Sequence, residues 1–399
     1  MRPQDRVVIA GGGPVGLVAA LQLSHHGIPV LVIEAGKELA YDLRASTFHP
    51  PTLDILDPFG VTDLLIAQGL KAPSWQYRDR ETGERAEFDL GLIKDVTGHP
   101  YRVQCEQHKL TRILLDKLQK RDNFEIWFDA KVTGVGQNEN LAWAKVSRGG
   151  EELTVEGRYL IGADGSNSAV RQTLGLGFDG VTYPEWFVQG TTTFEFRDHI
   201  PHLSLINYVS DSTEWYVLLR VVGQWRALFP SRDGETPEEA MTDESIQRRL
   251  QGVLPRSEPY PLTHKTIYRV HQRVVTTYNV GRILLAGDSA HLNNPLGGMG
   301  MNGGIHDATN LTGKINAVWK GQADAGVFDQ YTRQRQPIAV EFVQAQAERN
   351  RQLLRERDPA TRLARFHETV KTANDPAAAR QFLLRSSMIE SLRRSEQIA

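Results

Sequence analysis

Residues 6–34 read RVVIAGGGPVGLVAALQLSHHGIPVLVIE. Val7–Ala10 is an apolar run of the length and character of a strand buried in a parallel sheet. Gly11, Gly13 and Gly16 follow at the spacing G-x-G-x-x-G, with Pro14 and Val15 between them. The apolar stretch Val15–Leu23 then predicts a helix, broken at Gly27. Ile28–Ile33 predicts a second strand, and Glu34 ends it. Glycines at these positions permit a tight turn, close approach of a pyrophosphate and close helix–strand contact. Backbone N–H groups at the helix start would face the phosphates, and an acid about 20 residues on would accept a hydrogen bond from a ribose hydroxyl. Glycines, frame and acid together predict an α/β dinucleotide-binding lobe rather than an idle glycine turn.

The chain has 399 residues, more than one simple core accommodates, so two lobes are expected. Hydrophobic residues make up 40% and charged residues 24%, the balance of a soluble globular protein. A net charge of −2 favours neither nucleic acid nor an anionic membrane as a partner. Cys105 is the only cysteine, which rules out an intramolecular disulfide and suits a reducing cytoplasm. Residues 1–10 show no signal-peptide pattern, and no apolar run reaches the roughly 18 residues of a membrane span. A cytoplasmic protein, monomeric or homodimeric, is expected.

No repeat or long linker divides the chain, so the lobes are expected to interleave. Leu53–Leu70 carries helical spacing behind Pro50–Pro51, and Trp75–Phe88 alternates around the turn ETGE as a hairpin does. Glu106–Gln119 predicts an amphipathic helix with Leu110, Ile113, Leu114 and Leu118 on one stripe. Phe124–Val135 and Ala142–Val155 read as antiparallel strands with a turn at Gly149–Gly150. Residues 183–230 alternate aromatic and β-branched residues, which predicts a second sheet. Thr236–Val253 predicts a helix, Ile267–Val275 and Gly281–Ala286 strands, and Gly300–Trp319 a helix. Residues 324–357 read as helical, the arginines of 350–366 as a solvated helix face, and the end of the chain as helices with a frayed tail. The expected division is a dinucleotide-binding lobe of residues 1–74, 101–182 and 276–340, a β-sheet substrate lobe of 75–100 and 183–275, and a helical region of 341–399.

Two further turns carry chemistry. Arg158–Ile161 predicts a strand that runs into GADGSNSAVR (162–171), which sets Asp164 at a strand–helix junction. Residues 281–311 read GRILLAGDSAHLNNPLGGMGMNGGIHDATNL. Asp288 falls at the C-terminal end of a strand, where ligands of parallel sheets bind, and its carboxylate can accept from a polyol. Pro295–Gly304 then sets five glycines ahead of a helix. Such a loop offers backbone N–H groups and the helix's positive end to an electron-rich carbonyl, or to a ring nitrogen that becomes anionic on reduction.

In this order and spacing, GGGPVG with Glu34, GADGSNSAVR and GRILLAGDSAH…PLGGMGMNGGIHDATNL resemble the three fingerprints of single-component (group A) flavoprotein monooxygenases, the para-hydroxybenzoate hydroxylase-like FAD-dependent aromatic hydroxylases. The resemblance implies an α/β fold: a Rossmann-like FAD-binding domain, an inserted, mostly antiparallel substrate sheet, and C-terminal helices. It implies that Gly11, Gly13 and Gly16, with Pro14 and Val15 of the same turn, hold the FAD pyrophosphate, and that Glu34 holds the adenosine ribose. Arg44 matches a cofactor-contacting arginine, Gln104 a flavin-contacting glutamine, and Val132 a backbone contact to adenine. Asp164 would serve both FAD and NAD(P)H, and Asp288 the ribityl chain. Pro295 would stand near the reactive flavin carbon, while the backbone of Gly298, Gly300, Met301 and Asn302 would hold the pyrimidine edge. The implied reaction draws a hydride from NADH or NADPH, forms a flavin C4a-hydroperoxide with O2, and hydroxylates a phenol, an aromatic acid or an N-heterocycle. Met299 stands where the family often has Gln; it is expected to spare FAD binding, because the loop works through its backbone, and to bear on flavin mobility or the substrate side.

Tyr183, Tyr208, Trp215 and Tyr216 are candidates for lining an aromatic pocket, with ordinary sheet packing as the alternative for each. Arg220 is a candidate for pairing a substrate carboxylate, with a surface ion pair as the alternative. Cys105 reads as a small buried residue rather than a reactive thiol. His291 is expected to help shape the loop, and His25–His26 lacks metal spacing, so no metal site is expected. A halogenase, a reductase or a non-enzymatic FAD-dependent redox sensor on the same scaffold stays open. A halogenase calls for W-x-W-x-I-P, and GQWRALFP (223–230) lacks the first Trp and the Ile.

Overall fold

A computed structural model describes residues 2–41, 43 and 45–399. Val7–Ala10 lies inside a six-stranded sheet, parallel to Val30–Ile33 on one side and to Tyr159–Gly162 on the other. Phe124–Trp127 and Ile283–Leu285 extend the sheet in parallel, and Asn279–Val280 closes one edge antiparallel. Every residue of the four inner strands is buried. Both faces of these strands are covered, which is why the sequence runs continuously apolar instead of alternating. The helix Pro14–His25 starts with proline at its first turn, where a missing N–H costs nothing. It packs against the helices Gln107–Leu118 and Gly300–Trp319. An antiparallel sheet of Ala130–Gln137, Ala142–Arg148 and Glu151–Gly157 contributes to the same core.

Phe124–Trp127 corrects one expectation: it pairs in parallel with Val30–Ile33 and does not join the antiparallel strands after it. Asp129, at φ 50°, breaks the run before Ala130, and four apolar residues carry no signal of which edge they will join.

The second sheet has eight strands in the order His291–Leu292, Leu262–Val275, Phe178–Thr192, Gln224–Pro230, Tyr216–Val221, Ile206–Ser210, Ser74–Asp79 and Arg85–Asp89. Its ladders are antiparallel except between Ile206–Ser210 and Ser74–Asp79. Alternation sends Tyr208, Val217 and Leu228 to one face, and Val209, Tyr216, Leu218, Ala227 and Phe229 to the other. The second face packs against Ile246 and Leu250 of the helix Asp243–Val253. The strand Phe178–Thr192 runs across the lobe boundary expected at 182/183, and its register with Leu262–Val275 slips between Thr182 and Trp186.

Residues 327–355 are helical throughout, with a π-helical stretch at Ala339–Gln344 after Pro337. The helices Pro359–Asn374, Pro376–Ser386 and Ile389–Glu396 bring Phe366, Leu383 and Ile389 into a core shared with Trp75, Tyr77 and Phe88. The tail is docked rather than frayed: Arg333 Nε donates to the Ala399 carbonyl at 2.9 Å and Gln334 Nε2 to that of Ile398 at 2.8 Å. The arginine run is not wholly solvated either. Arg362 is 2% exposed and pairs with Asp79 at 3.0 Å, while Arg351 pairs with Glu185 at 2.7 Å. Among the described residues no helix is long and apolar enough to cross a membrane.

Candidate active site

The first turn is shaped by lack of room. Gly11 has φ +103°, and a Cβ on it would lie 2.3 Å from the Ala163 carbonyl oxygen. A Cβ on Gly16 would lie 2.0 Å from the Gly11 oxygen. Gly13 is the opposite case: φ is −74°, and nothing stands within 4 Å of its missing Cβ. Strand, turn and helix are thus in close contact at Gly11 and Gly16, and space is left at Gly13. The Glu34 carboxylate accepts from the Gly12 N–H at 2.7 Å and the Gly36 N–H at 2.8 Å, which fixes the acid beside the turn.

The second and third turns are stapled together. Asp164 accepts from Ser168 Oγ at 2.6 Å and from the Val170 N–H at 3.1 Å. Arg171 donates to the carbonyls of Ser289 at 3.1 Å and Ser166 at 2.7 Å, and its guanidinium lies 4.0 Å from the Phe178 ring centroid. Asp288 sits on the short turn Gly287–Ser289 after the strand Ile283–Leu285, and Ser289 Oγ anchors that turn to the Gly162 carbonyl at 2.6 Å.

Beneath the glycine loop lies a buried charge cluster. Asp307 pairs with His291 Nε2 and with Arg335 Nε, each at 2.7 Å, and accepts from the Gly287 N–H at 3.2 Å. Burial alone would raise the Asp307 carboxyl, but Arg335 and His291 hold it down at about 2. Within the loop, Gly297 and Gly298 take φ +121° and +67°. Asn302 closes it: its Oδ1 accepts from the His49 N–H at 3.0 Å, and its Nδ2 donates to the carbonyls of Thr47 at 2.8 Å and Gly298 at 2.7 Å.

One cavity of about 730 Å³ joins these parts. Gly11, Gly13, Pro14, Val15, Glu34, Val132, Asp164 and Asp288 line it, as do Pro295, Gly298, Gly300 and Met301. Gly16 and Asn302 support the wall from behind, Gly16 against Gly11 and Asn302 through Gly298. Gln104 is fully buried and off the wall: its Oε1 accepts from Thr47 Oγ1 at 3.1 Å, and its Nε2 has no partner among the described residues. Arg44 lies outside the described residues. Met299 packs with Val343 and Met388. Cys105 is buried, and burial pushes its thiol up to about 12.

Of the expected substrate residues, only Tyr208 is on the cavity wall. Arg220 is taken by Glu195, with its Nε at 3.0 Å, and by the Gln224 carbonyl at 2.9 Å. It points away because Val217 and Leu219, one strand period apart, are the residues that face the cavity. Tyr183 donates towards Gln272 and Glu348 and lies under Arg351, 4.6 Å from its ring. Trp215 packs edge-on against Phe187 at 5.5 Å and lines a separate charged groove with Trp186 and Arg232. Sequence reasoning missed Val217, Leu219, Leu228, Tyr268, Val270 and Leu296, which make the apolar half of the cavity. Alternation within Tyr216–Val221 held that signal for the first two.

The cavity fits a dinucleotide with a planar ring. It has open space at Gly13, an acid fixed at Glu34, backbone at the start of Gly300–Trp319, and an apolar end. The family described as FAD binding domain matches residues 4–346. Para-nitrophenol 4-monooxygenase of Pseudomonas sp. (strain WBC-3) is 33% identical over 393 residues, covering 96% of each chain. 6-Hydroxy-3-succinoylpyridine 3-monooxygenase of Pseudomonas putida is 34% identical over 356 residues, covering 88% of this chain and 89% of that one. The crystal structure of p-nitrophenol 4-monooxygenase from Pseudomonas putida DLL-E4 superposes with a TM-score of 0.92 at 31% identity, covering 98% of this chain and 99% of that one. Fold, cavity and relatives agree: the chain belongs to the FAD-dependent aromatic monooxygenases and is an enzyme that uses FAD, NAD(P)H and O2 to hydroxylate an aromatic compound.

Proposed function

We propose that FAD lies along this cavity and that a hydroxylated six-membered aromatic ring occupies its apolar end. The supporting observation is that a single cavity is lined both by the glycine turn at Gly11–Gly13 and by Tyr208, Val217, Leu228 and Val270 of the second sheet. Two relatives are named for a nitrophenol and a hydroxypyridine, both hydroxyl-bearing aromatics. In this reading Gly11, Gly13, Pro14, Val15 and Gly16 form the pyrophosphate seat, Glu34 takes the adenosine ribose, and the Val132 backbone meets adenine. Asp288 takes the ribityl chain, and the backbone of Gly298, Gly300, Met301 and Asn302 holds the pyrimidine edge beside Pro295. Asp164 serves both FAD and NAD(P)H, Gln104 backs Thr47 towards the ring, and Arg44 is a further cofactor contact.

The redox and oxygen-activating chemistry is supplied by FAD when bound. The chain's own residues orient the aromatic ring between Leu296 and the strands and surround it with apolar side chains that exclude water. Residues 1–74, 101–182 and 276–340 are assigned to the FAD-binding lobe, 75–100 and 183–275 to the substrate lobe, and 341–399 to a helical region that supports it. The protein is placed as a cytoplasmic monomer or homodimer with small-molecule partners; the near-neutral charge supports the absence of nucleic acid among them.

The test is NAD(P)H oxidation by the purified, FAD-loaded protein with 4-nitrophenol and with a hydroxypyridine. Consumption should rise with an accepted ring, and labelled O2 should leave one labelled oxygen in the product. Failure to take up FAD, or oxidation indifferent to every aromatic, would overturn the reading.

A further inference from the structure

Pro295, Leu296 and Gly298 of the glycine loop line the cavity. The carbonyls of Leu296, Gly297 and Gly298 are tied from behind by side chains of three different elements. Asn302, in the helix Gly300–Trp319, donates to the Gly298 carbonyl at 2.7 Å. His49, which precedes the helix Pro50–Leu56, sets its Nε2 2.9 Å from the Gly297 carbonyl. Burial keeps this histidine neutral, and Nε2 carries the proton because a carbonyl only accepts. Asn350 Nδ2 donates to the Leu296 carbonyl at 3.2 Å. Asn350 is buried on the helix Ala345–Arg355, in the region where the sequence showed no chemistry.

The amide of Asn350 is itself fixed. Its Oδ1 accepts from the Tyr77 hydroxyl at 2.7 Å and from Gln346 Nε2 at 2.9 Å. Two donors fill both lone pairs of that oxygen, so the amide cannot turn over without losing them. Nδ2 therefore faces the loop, where a Cβ on Gly297 would lie 3.3 Å from it. Tyr77 packs on Tyr208 with ring centroids 5.4 Å apart, and Tyr208 lines the cavity. A chain of contacts thus leaves the cavity at Tyr208, passes behind it through Tyr77 and Asn350, and returns to it at Leu296. Gln346 and Asn350 follow directly on the π-helical stretch Ala339–Gln344. Such a stretch widens one turn and shifts the face that later residues present, and it recurs at functional sites.

We propose that Asn350 is a positioning residue of this reaction: held by Tyr77 and holding the Leu296 carbonyl, it keeps the loop wall against the aromatic ring, so that oxygen enters the ring instead of leaving as hydrogen peroxide. The inference rests on the aromatic-hydroxylase reading above. Hydroxylation converts NAD(P)H, a proton, O2 and the aromatic into NAD(P)+, water and the hydroxylated ring. The leak converts NAD(P)H, a proton and O2 into NAD(P)+ and H2O2. Both take two electrons from the nicotinamide, and they differ in whether one oxygen atom finds the ring in place. Transfer needs the reacting atoms held to within about 1 Å and water kept out. Both conditions depend on Leu296 staying where Asn350 holds it.

The experiment measures H2O2 against hydroxylated product in FAD-loaded wild type, Asn350→Leu, Tyr77→Phe, the double variant and Leu250→Ala, with whichever of 4-nitrophenol and a hydroxypyridine wild type accepts. Asn350→Leu keeps the side-chain volume but leaves the Leu296 carbonyl without its donor. Its ratio of H2O2 to product should rise about fivefold or more, with NAD(P)H oxidation continuing and FAD still at one per chain. Tyr77→Phe should raise the ratio in the same direction by less, and the double variant should leak no more than Asn350→Leu, because Tyr77 acts through Asn350. Leu250→Ala loosens the core on the opposite face of the second sheet; it should lower the melting temperature and leave the ratio within about twofold of wild type. An unchanged ratio in Asn350→Leu, additive losses in the double variant, or an equal leak in Leu250→Ala would overturn the proposal. If Asn350→Leu does not fold, Tyr77→Phe decides: an unchanged ratio there overturns it. A wild type that takes up no FAD, or whose NAD(P)H oxidation responds to neither ring, refutes the aromatic-hydroxylase reading instead.

Discussion

Gly13 and Gly16 belong to one motif, yet the structure asks different things of them. A methyl group on Gly16 would collide with the Gly11 carbonyl oxygen, part of the backbone and unable to yield cheaply. Gly16→Ala should destabilise the protein by about 1–3 kcal/mol through overpacking and lose FAD as a consequence. Gly13→Ala meets nothing within 4 Å and keeps an ordinary φ. It should leave apoprotein stability within about 1 kcal/mol of wild type and still weaken FAD binding about tenfold or more, because the methyl group occupies the space left beside the turn. Urea unfolding of apoprotein, with FAD titration by fluorescence quenching, separates the two; parallel losses in both variants would show that Gly13 serves the fold alone. These glycines were legible because their constraint is local. Arg220 was legible only in part: the ion pair given as its alternative role is the one found, but nothing in its neighbours announces that Glu195 is the partner, and one step along a strand exchanges the cavity face for the opposite one.

At the scale of elements, Asp307 ties the helix Gly300–Trp319 to the turn that presents Asp288 and, through Arg335, to the helix Val327–Ile338. Removing one charge of a buried cluster costs about 3–5 kcal/mol, so Asp307→Asn should lower stability by that order. The pH dependence has a definite sign. The folded carboxyl is held at about 2, below the roughly 3.9 of an unfolded aspartate. Its stabilisation is therefore complete above about pH 4 and is lost as pH falls towards 2. The stability gap between wild type and Asp307→Asn should be constant near neutrality and shrink below about pH 4; a gap independent of pH would show that the carboxylate is not held down by its partners. Sequence showed the loop and the helix after it but not this clasp, since His291, Asp307 and Arg335 come together only when three separate elements pack. The parallel pairing of Phe124–Trp127 was hidden for a similar reason: a four-residue apolar strand does not encode its neighbour.

Besides the core between the second sheet and the helix Asp243–Val253, the whole molecule rests on two cores of different origin. One lies around the parallel sheet and was legible from residues 6–34, because its strands are uninterrupted apolar runs. The other lies under the second sheet and is completed by Leu354, Phe366, Leu383 and Ile389, from helices whose charged sequence gave no sign of a partner. Arg362 is the clearest case. It crosses from the helix Pro359–Asn374 to Asp79, with side chains 2% and 0% exposed, and reaches Glu81 as well. Arg362→Ala leaves the Asp79 charge buried without its cation and should cost about 3–5 kcal/mol. The loss should fall on the substrate side, because Tyr77 and Tyr208 belong to the core these helices complete, whereas Gly13, Glu34 and Asp288 are held by the parallel sheet and its turns. The folded variant should therefore keep FAD near one per chain while its affinity for an accepted aromatic falls. Flavin absorbance of the purified variant, a thermal melt and a ligand titration together test this. If FAD is lost in step with stability, the two cores do not act separately and the C-terminal helices support the cofactor as directly as they support the ring.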